Sequence, residues 1–385
     1  MMTCLSQIST VAMTPTGLEV AFSNDAKPAQ FSWFWLRDHG IDENSLDPDT
    51  LQRRVNTFAI PRNIEPTAVN FDKDTQLVEI EWADAPTTTV SAQLLAGVET
   101  RAPESHELAP GHERVLWDKD APLPELPKVH YDDVMTDDGT LREWLENIVV
   151  YGFSLVEGVP STEEATRALA ERIGLIQETI FGGVWMLSAE MADHGDTAYS
   201  TQFLEPHTDA TYSHDAPGLQ MFNCLEFDGK GGECVQLDGF AIAERIRQDD
   251  PDAYKTLTEI IIPGHYLEPG VHLRAERPPF RLNARGELVQ ISFNNYDRAP
   301  MHLSDEDTER FYHAYSLFHR HAMNQDNWLK IRLRPGMFLI FDNWRNLHGR
   351  MGYVGKRVFS GCYQSHWTLE SKLRVLQTKG ITATT

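Results

Sequence analysis

Cysteine is scarce in this chain. Its 385 residues include four, Cys4, Cys224, Cys234 and Cys362, with no Cys-x-x-Cys spacing. Neither a zinc finger nor a disulfide framework is therefore expected, and a reducing, cytoplasmic compartment is the reading. Positive charge is also short. Against 57 Asp and Glu stand 34 Lys and Arg, a formal net charge of −23 at pH 7. Such a surface repels phosphate backbones, so nucleic acid is not expected as a partner. No stretch approaches the roughly 20 apolar residues of a membrane span, so no membrane partner is expected either. Residues 1–17 have neither a basic start nor a sustained apolar run, and no signal peptide is expected. There is no internal repeat and no low-complexity tract.

What the chain does contain is apolar material, 41% hydrophobic with 10% aromatic, enough for one large or two ordinary domains. Residues 9–116 read as short strands and turns. The stretches 18–22 and 77–82 alternate as half-buried strands do. Between them, 31–38 reads as an aromatic strand ending in charge, with Trp33 and Trp35 as core. The stretch 117–134 carries Pro122, Pro124 and Pro127. Proline fixes φ and removes donors, so this is a linker, and the boundary falls between an N-terminal β-rich domain (1–120) and a second domain (121–385).

Beyond the linker, 141–149 reads as a helix and 152–156 as a strand. The next helix is capped by Ser161 with Glu164 and runs to about residue 173. From Gln220 come a strand, a turn at Gly231-Gly232 and a second strand through Leu237, then a helix over 240–247. Further strands are expected at 260–262, 289–294, 337–341 and 358–363. Ser304-Asp305-Glu306-Asp307 opens a long helix with Phe311, Tyr312, Tyr315 and Phe318 along its apolar stripe. The fold class is mainly β with inserted helices, a jelly-roll barrel.

One constellation carries chemistry. Pro206-His207-Thr208-Asp209 and the distant Phe341-Asp342-Asn343-Trp344-Arg345-Asn346-Leu347-His348-Gly349-Arg350 together offer His207, Asp209 and His348. Two imidazoles and one carboxylate on one face of a metal leave the opposite face open, as in non-heme Fe(II) oxygenases. On a strand, i and i+2 side chains point the same way, so His207 and Asp209 converge, and His348 arrives from a distant strand. His-x-Asp alone recurs by chance and gains weight only in company.

That company is present. Gly218-Leu-Gln220, Gly231-Gly232, Asp238-Gly239-Phe240, Asp342-Asn-Trp-Arg345, Leu347-His-Gly-Arg350 and Gly361-Cys-Tyr363 accompany the triad, with Trp35-Leu-Arg-Asp38 and Gln52-Arg53 near the N-terminus. On these motifs the chain resembles the γ-butyrobetaine and trimethyllysine hydroxylase family of Fe(II)/2-oxoglutarate dioxygenases over nearly its whole length. The stretches 169–173, 195–199 and 294–298 carry the likeness to the trimethyllysine branch.

The resemblance implies a double-stranded β-helix catalytic domain and a homodimer. Fe(II) is held by His207, Asp209 and His348, with 2-oxoglutarate and O2 as co-substrates and ascorbate as an aid in vitro. It implies Arg357, nine residues after His348, as the anchor of the far 2-oxoglutarate carboxylate; the alternative is a surface residue beside Lys356. Cys234 stands where the family offers Thr or Ser to the co-substrate. Arg345 and Arg350 are assigned structural roles. Trp185, Tyr199 and Tyr363 match an aromatic cage for a quaternary ammonium, with Phe181 where Tyr is usual. For Trp185 by itself, core packing is the alternative.

At the other end of the substrate, Asn294 matches a carboxylate-binding position and Asp196 suits an ammonium, or else caps a loop. Arg298 would be the cation for a phosphonate. The implied substrate is a small trimethylammonium compound, trimethyllysine-like or 2-(trimethylammonio)ethylphosphonate. The alternatives are γ-butyrobetaine, disfavoured by Ala210 in place of a family Tyr, and a non-quaternary substrate. A barrel that only binds metal is disfavoured by the intact anchors. Gly40 and Ser45 replace two cysteines of the family's structural zinc site, so no zinc is expected.

Overall fold

The computed structural model describes residues 7–23, 27–99, 113–188 and 200–379, and the chain divides into two units, 1–106 and 107–385. In the first, β1 (Ile8–Thr14), β2 (Gly17–Phe22) and β3 (Ala29–Ser32) form one antiparallel sheet, and β4 (Pro66–Asp72), β5 (Leu77–Trp82) and β6 (Thr88–Ser91) another. Alternation buries Leu18, Val20 and Phe22 from β2 and Val78, Ile80 and Trp82 from β5 in a single core. Helix α1 (Trp33–Asp38) joins that core and α2 (Ala92–Glu99) closes the unit.

The aromatic strand expected over 31–38 stops at Ser32. The Ser32 hydroxyl accepts the Trp35 N–H at 3.2 Å and starts a helix that puts Trp33 and Leu36 on one buried face. Trp35 is half-buried and stacks on His39 with ring centroids 4.2 Å apart. At the positions of the missing cysteines, Ser45 Oγ donates to Asp42 Oδ2 at 3.0 Å, and a Cβ on Gly40 would stand 2.4 Å from that hydroxyl.

The division between units falls earlier than the expected 120/121. The reason is Trp117, whose indole N–H donates to the Tyr151 carbonyl at 2.8 Å and whose backbone N–H donates to Asp238, which fastens the proline-rich stretch to the second unit.

The second unit begins with β7 (Lys128–His130), α3 (Tyr131–Thr136), α4 (Asp138–Tyr151), β8 (Phe153–Glu157), α5 (Glu163–Ile173) and β9 (Val184–Leu187). Thr162 rather than Ser161 caps α5, accepting the Ala165 N–H. Next come β10 (Leu204–His207), β11 (Leu219–Gly231), β12 (Cys234–Asp238), α6 (Gly239–Asp249) and α7 (Pro251–Glu259). The hairpins β13 (Ile262–Glu268)–β14 (Val271–Arg277) and β15 (Phe280–Leu282)–β16 (Leu288–Ile291) follow. Residues 260–261, expected in a strand, thus follow the end of α7, and Phe293 and Asn294, also expected in a strand, lie beyond the end of β16. The chain closes with α8 (Asp305–Ala322), β17 (Leu329–Ile331), β18 (Met337–Asp342), β19 (Asn346–Arg350), β20 (Tyr353–Gln364) and α9 (His366–Lys379).

Two sheets result, β7-β8-β18-β11-β20-β9 and β10-β19-β12-β17. From β10 to β12, and again from β17 to β20, the chain changes sheet at each step. Alternation along each strand divides the apolar residues between faces. Phe222, Leu339, Phe341 and Phe359 point inward against Cys234 and Ile331 of the other sheet. Met221, Phe338, Ile340 and Cys362 point outward under α4, α5 and α9, and α6, α7 and α8 cover the second sheet. The turn between β18 and β19 is pinned by a buried ion pair, Arg345 to Asp238 at 2.6 Å, with Arg345 also donating to the Val150 carbonyl at 2.9 Å. Among the described residues no helix is long and apolar enough to cross a membrane.

Candidate active site

Strands β10 and β19 are antiparallel neighbours in which His207 stands directly opposite His348, ring centroids 4.4 Å apart. His207 Nδ1 lies 2.7 Å from the Glu205 carbonyl. A carbonyl only accepts, so Nδ1 carries the proton and Nε2 keeps its lone pair for the centre of the sheet pair.

Asp209 reaches the same point by a different route from strand alternation. The strand has ended at His207, and Asp209 is held by long-range bonds. The Thr208 N–H donates to the Phe293 carbonyl at 2.8 Å, and the Asp209 N–H donates to the buried Asn343 side chain at 2.8 Å. Ala210 follows at φ 58°, a left-handed conformation that turns the chain away.

The Asp209 Oδ1 atom is then 3.2 Å from His207 Nε2 and 3.5 Å from His348 Nε2. Cis ligands about 2.1 Å from one ion stand about 3 Å apart, so the three donors fit a shared metal. Among the described residues this is the one group of three ligating side chains with donor atoms within 4.8 Å of one another. Burial opposes the Asp209 charge, yet the neighbouring His348 and His207 imidazoles and the Tyr363 hydroxyl hold its pKa below the carboxylate range. Burial pushes His348 down to about 3, against the pull of Asp209. An ionised carboxylate and a neutral imidazole are the states a divalent cation requires.

The triad forms one wall of a partly open cavity. Strand β20 adds Arg357 and Tyr363 to the lining, on the strand face they share with Phe359 and Gly361. Arg357 is 5% exposed, and its guanidinium lies 3.7 Å from the Phe359 ring centroid. Among the described residues it has no carboxylate partner; its contact is a long 3.6 Å bond to Cys234 Sγ, and its Nε is unpaired. Burial raises the Cys234 pKa, so that contact is with a neutral thiol. A buried cation without a counter-ion is costly, and this one is suited to receive a ligand carboxylate.

Trp185 of β9 pairs with Gly361 in register, and a Cβ there would stand 2.2 Å from the indole ring. The missing side chain seats the ring, which lies 5.4 Å from Tyr363 and 5.6 Å from Phe222, centroid to centroid. Phe181 joins this lining, edge-on to Tyr266 at 6.0 Å.

Asn294 also lines the cavity. Its amide N–H donates to Asp297 Oδ2 at 2.8 Å, and its oxygen accepts the Tyr296 N–H at 2.9 Å. Arg298 is not brought in: it packs near the Tyr312 and Tyr315 rings, each 5.8 Å away, because the 294–298 turn directs it out of the cavity. Asp196 and Tyr199 lie outside the described residues. Sequence reading missed Asp297, Gln220, Phe222 and Tyr212 as cavity residues. For Gln220 and Phe222 the signal was there, since they alternate on β11 with the outward Met221. For Asp297 it was not, because a turn has no period.

Residues 118–363 match the model of the family described as taurine catabolism dioxygenase TauD, TfdA family. The chain is 33% identical to a mitochondrial trimethyllysine dioxygenase of Gallus gallus over 354 residues, 90% of this chain and 83% of that one. It is 31% identical over 364 residues to a trimethyllysine dioxygenase of Meyerozyma guilliermondii, 90% of each. A gamma-butyrobetaine dioxygenase of Pseudomonas sp. strain AK-1 is 30% identical over 386 residues, 97% of each.

Proposed function

Since the chain belongs to the taurine catabolism dioxygenase TauD, TfdA family and is a 2-oxoglutarate-dependent dioxygenase, we propose that it hydroxylates a C–H bond of a small trimethylammonium compound. The observation that carries this reading is the shared cavity, in which the aromatic group of Trp185, Tyr363 and Phe181 borders the His207–Asp209–His348 wall.

His207, Asp209 and His348 would hold Fe(II), which with 2-oxoglutarate and O2 supplies the oxidation, leaving succinate, CO2 and a hydroxylated product. Arg357 forks onto the far carboxylate of 2-oxoglutarate, with Phe359 fixing the guanidinium plane. A quaternary nitrogen has no N–H to donate, so it is held by ring faces, each contributing about 0.5–2 kcal/mol. The rings also keep water from the reacting carbon. The two inner-facing sheets constitute the double-stranded β-helix in this reading.

The opposite end of the substrate meets Asp297, which Asn294 and Thr211 Oγ1 hold at 2.8 and 3.2 Å. A fixed carboxylate favours an ammonium there, as in the α-amino group of trimethyllysine. It disfavours γ-butyrobetaine and a phosphonate, whose anionic ends it would repel, and Arg298 is not in the cavity to compensate.

The test is succinate release with Fe(II), ascorbate, 2-oxoglutarate and O2, with trimethyllysine, 2-(trimethylammonio)ethylphosphonate and γ-butyrobetaine supplied separately. Trimethyllysine is expected to stimulate turnover most and to yield a hydroxylated product. Asp297→Asn is expected to lose at least tenfold in kcat/KM for it, since charge-assisted bonds contribute about 1.5–3 kcal/mol. Stimulation by none of the three, in a protein that still binds 2-oxoglutarate, would overturn the quaternary-ammonium reading.

A further inference from the structure

The Tyr363 hydroxyl is engaged with the triad. It lies 2.8 Å from Asp209 Oδ2, while Oδ1 is the oxygen facing both imidazoles. Gln220 Nε2 lies 3.4 Å from the same hydroxyl. These protons have one consistent arrangement. An ionised carboxylate only accepts, so the phenol donates to Oδ2. The phenol oxygen can then accept from the Gln220 amide, which sets the amide's orientation. Gln220 and Tyr363 are direct partners in the β11–β20 register, 3% and 7% exposed respectively, so sheet pairing fixes their contact.

We infer that Tyr363, backed by Gln220, is a positioning residue for the metal centre: it ties up Asp209 Oδ2 so that Oδ1 alone is presented to the ion. The inference rests on the triad being the metal site and is independent of which substrate is used. Both histidines sit on the four-stranded sheet, and Tyr363 and Gln220 on the six-stranded one. Asp209 itself is on neither, lying just past β10. The Tyr363–Asp209 bond is therefore a strut from one sheet to the ligand that the other sheet leaves off-strand.

Its consequence is a coordination count. A carboxylate free to turn can take an ion with both oxygens, which would fill a fourth position. A one-oxygen Asp209 leaves three for the two donor atoms of 2-oxoglutarate and for O2. The ring of Tyr363 still faces Trp185, so ring and hydroxyl serve different ends.

The test is calorimetric titration of the metal-free protein with Co(II), with no substrate present, for wild type, Tyr363→Phe, Gln220→Leu and Asp209→Ala. Tyr363→Phe keeps the ring and is expected to weaken Co(II) binding about 10–100-fold, as loss of a partner behind a metal ligand does, with an altered Co(II) visible spectrum. Gln220→Leu is expected to act in the same direction but less. If Tyr363→Phe fails to fold by circular dichroism, Gln220→Leu decides. Wild-type affinity and spectrum in whichever of the two variants is folded, with binding lost in Asp209→Ala, would overturn the inference. Wild-type affinity in Asp209→Ala would instead overturn the metal site on which it rests.

Discussion

Arg357 is the residue whose state is least explicable without a ligand. It is buried, stacked on Phe359, and without a carboxylate partner among the described residues. Stability alone does not favour such a cation, since a buried charge needs a partner to offset its desolvation. Arg357→Ala is expected to raise the KM for 2-oxoglutarate about 10–100-fold, the equivalent of one or two charge-assisted bonds, with a smaller change in kcat. Steady-state kinetics at saturating substrate reads this directly, and an unchanged KM would move the anchor elsewhere. The same side chain shows what sequence spacing can carry. Arg357, Gly361 and Tyr363 fall on one face because a strand has period two, so assigning one inward residue of β20 assigns the others.

At the scale of elements, the β9–β20 pair is specified by a residue that is absent. Gly361 leaves room for the Trp185 ring, and a Cβ there would stand 2.2 Å from it. Gly361→Ala is expected to displace Trp185 and raise the KM for the quaternary substrate at least tenfold, while leaving that for 2-oxoglutarate within twofold. Parallel titration of the two substrates separates these effects, and equal shifts in both would mean that the sheet rather than the ring had moved.

Elements also mark what could be read in advance. The Ser304 cap of α8, the Gly231-Gly232 turn and the alternating strands were legible because local chemistry decides them. Helix α1 was not, because Phe31 to Trp35 suits either a strand or a helix, and the Ser32 cap tips it. The triad was legible as a set of residues, but its geometry was not. The bonds that place Asp209 come from Phe293 and Asn343, far along the chain, and no local pattern announces them. Arg298, the immediate neighbour of the cavity residue Asp297, shows the converse: proximity in sequence does not carry a side chain into a cavity.

Across the whole molecule, the six-stranded sheet is tied to α9 by a pair that titrates. His366 Nε2 lies 2.8 Å from Asp342 Oδ1 at the end of β18, just before the turn that leads to His348. Burial alone would lower the His366 pKa, but the Asp342 carboxylate raises it above its ordinary 6.5. For Asp342, burial works upward and His366 outweighs it, holding the carboxyl below its ordinary 3.8. The folded protein thus binds the imidazole proton more tightly than the unfolded chain does. The His366 contribution is full below about pH 6.5 and fades as pH rises through the folded-state pKa. The Asp342 contribution is full above about pH 4 and is lost on acidification. Thermal melting of wild type and His366→Gln is expected to differ more at pH 6 than at pH 9. A gap that is constant or grows with pH would show that the imidazole is not charged in the fold.

The cross-strand pairing of His207 with His348 has a consequence beyond chemistry. Shifting one strand against its neighbour by a single residue sends every side chain to the opposite face. A chain closed with β10 and β19 out of step therefore presents one imidazole inward and one outward, and cannot chelate. Loading with iron then works as a checksum on assembly: the ion stabilises the one alignment that can do the reaction and leaves the misaligned forms unrewarded.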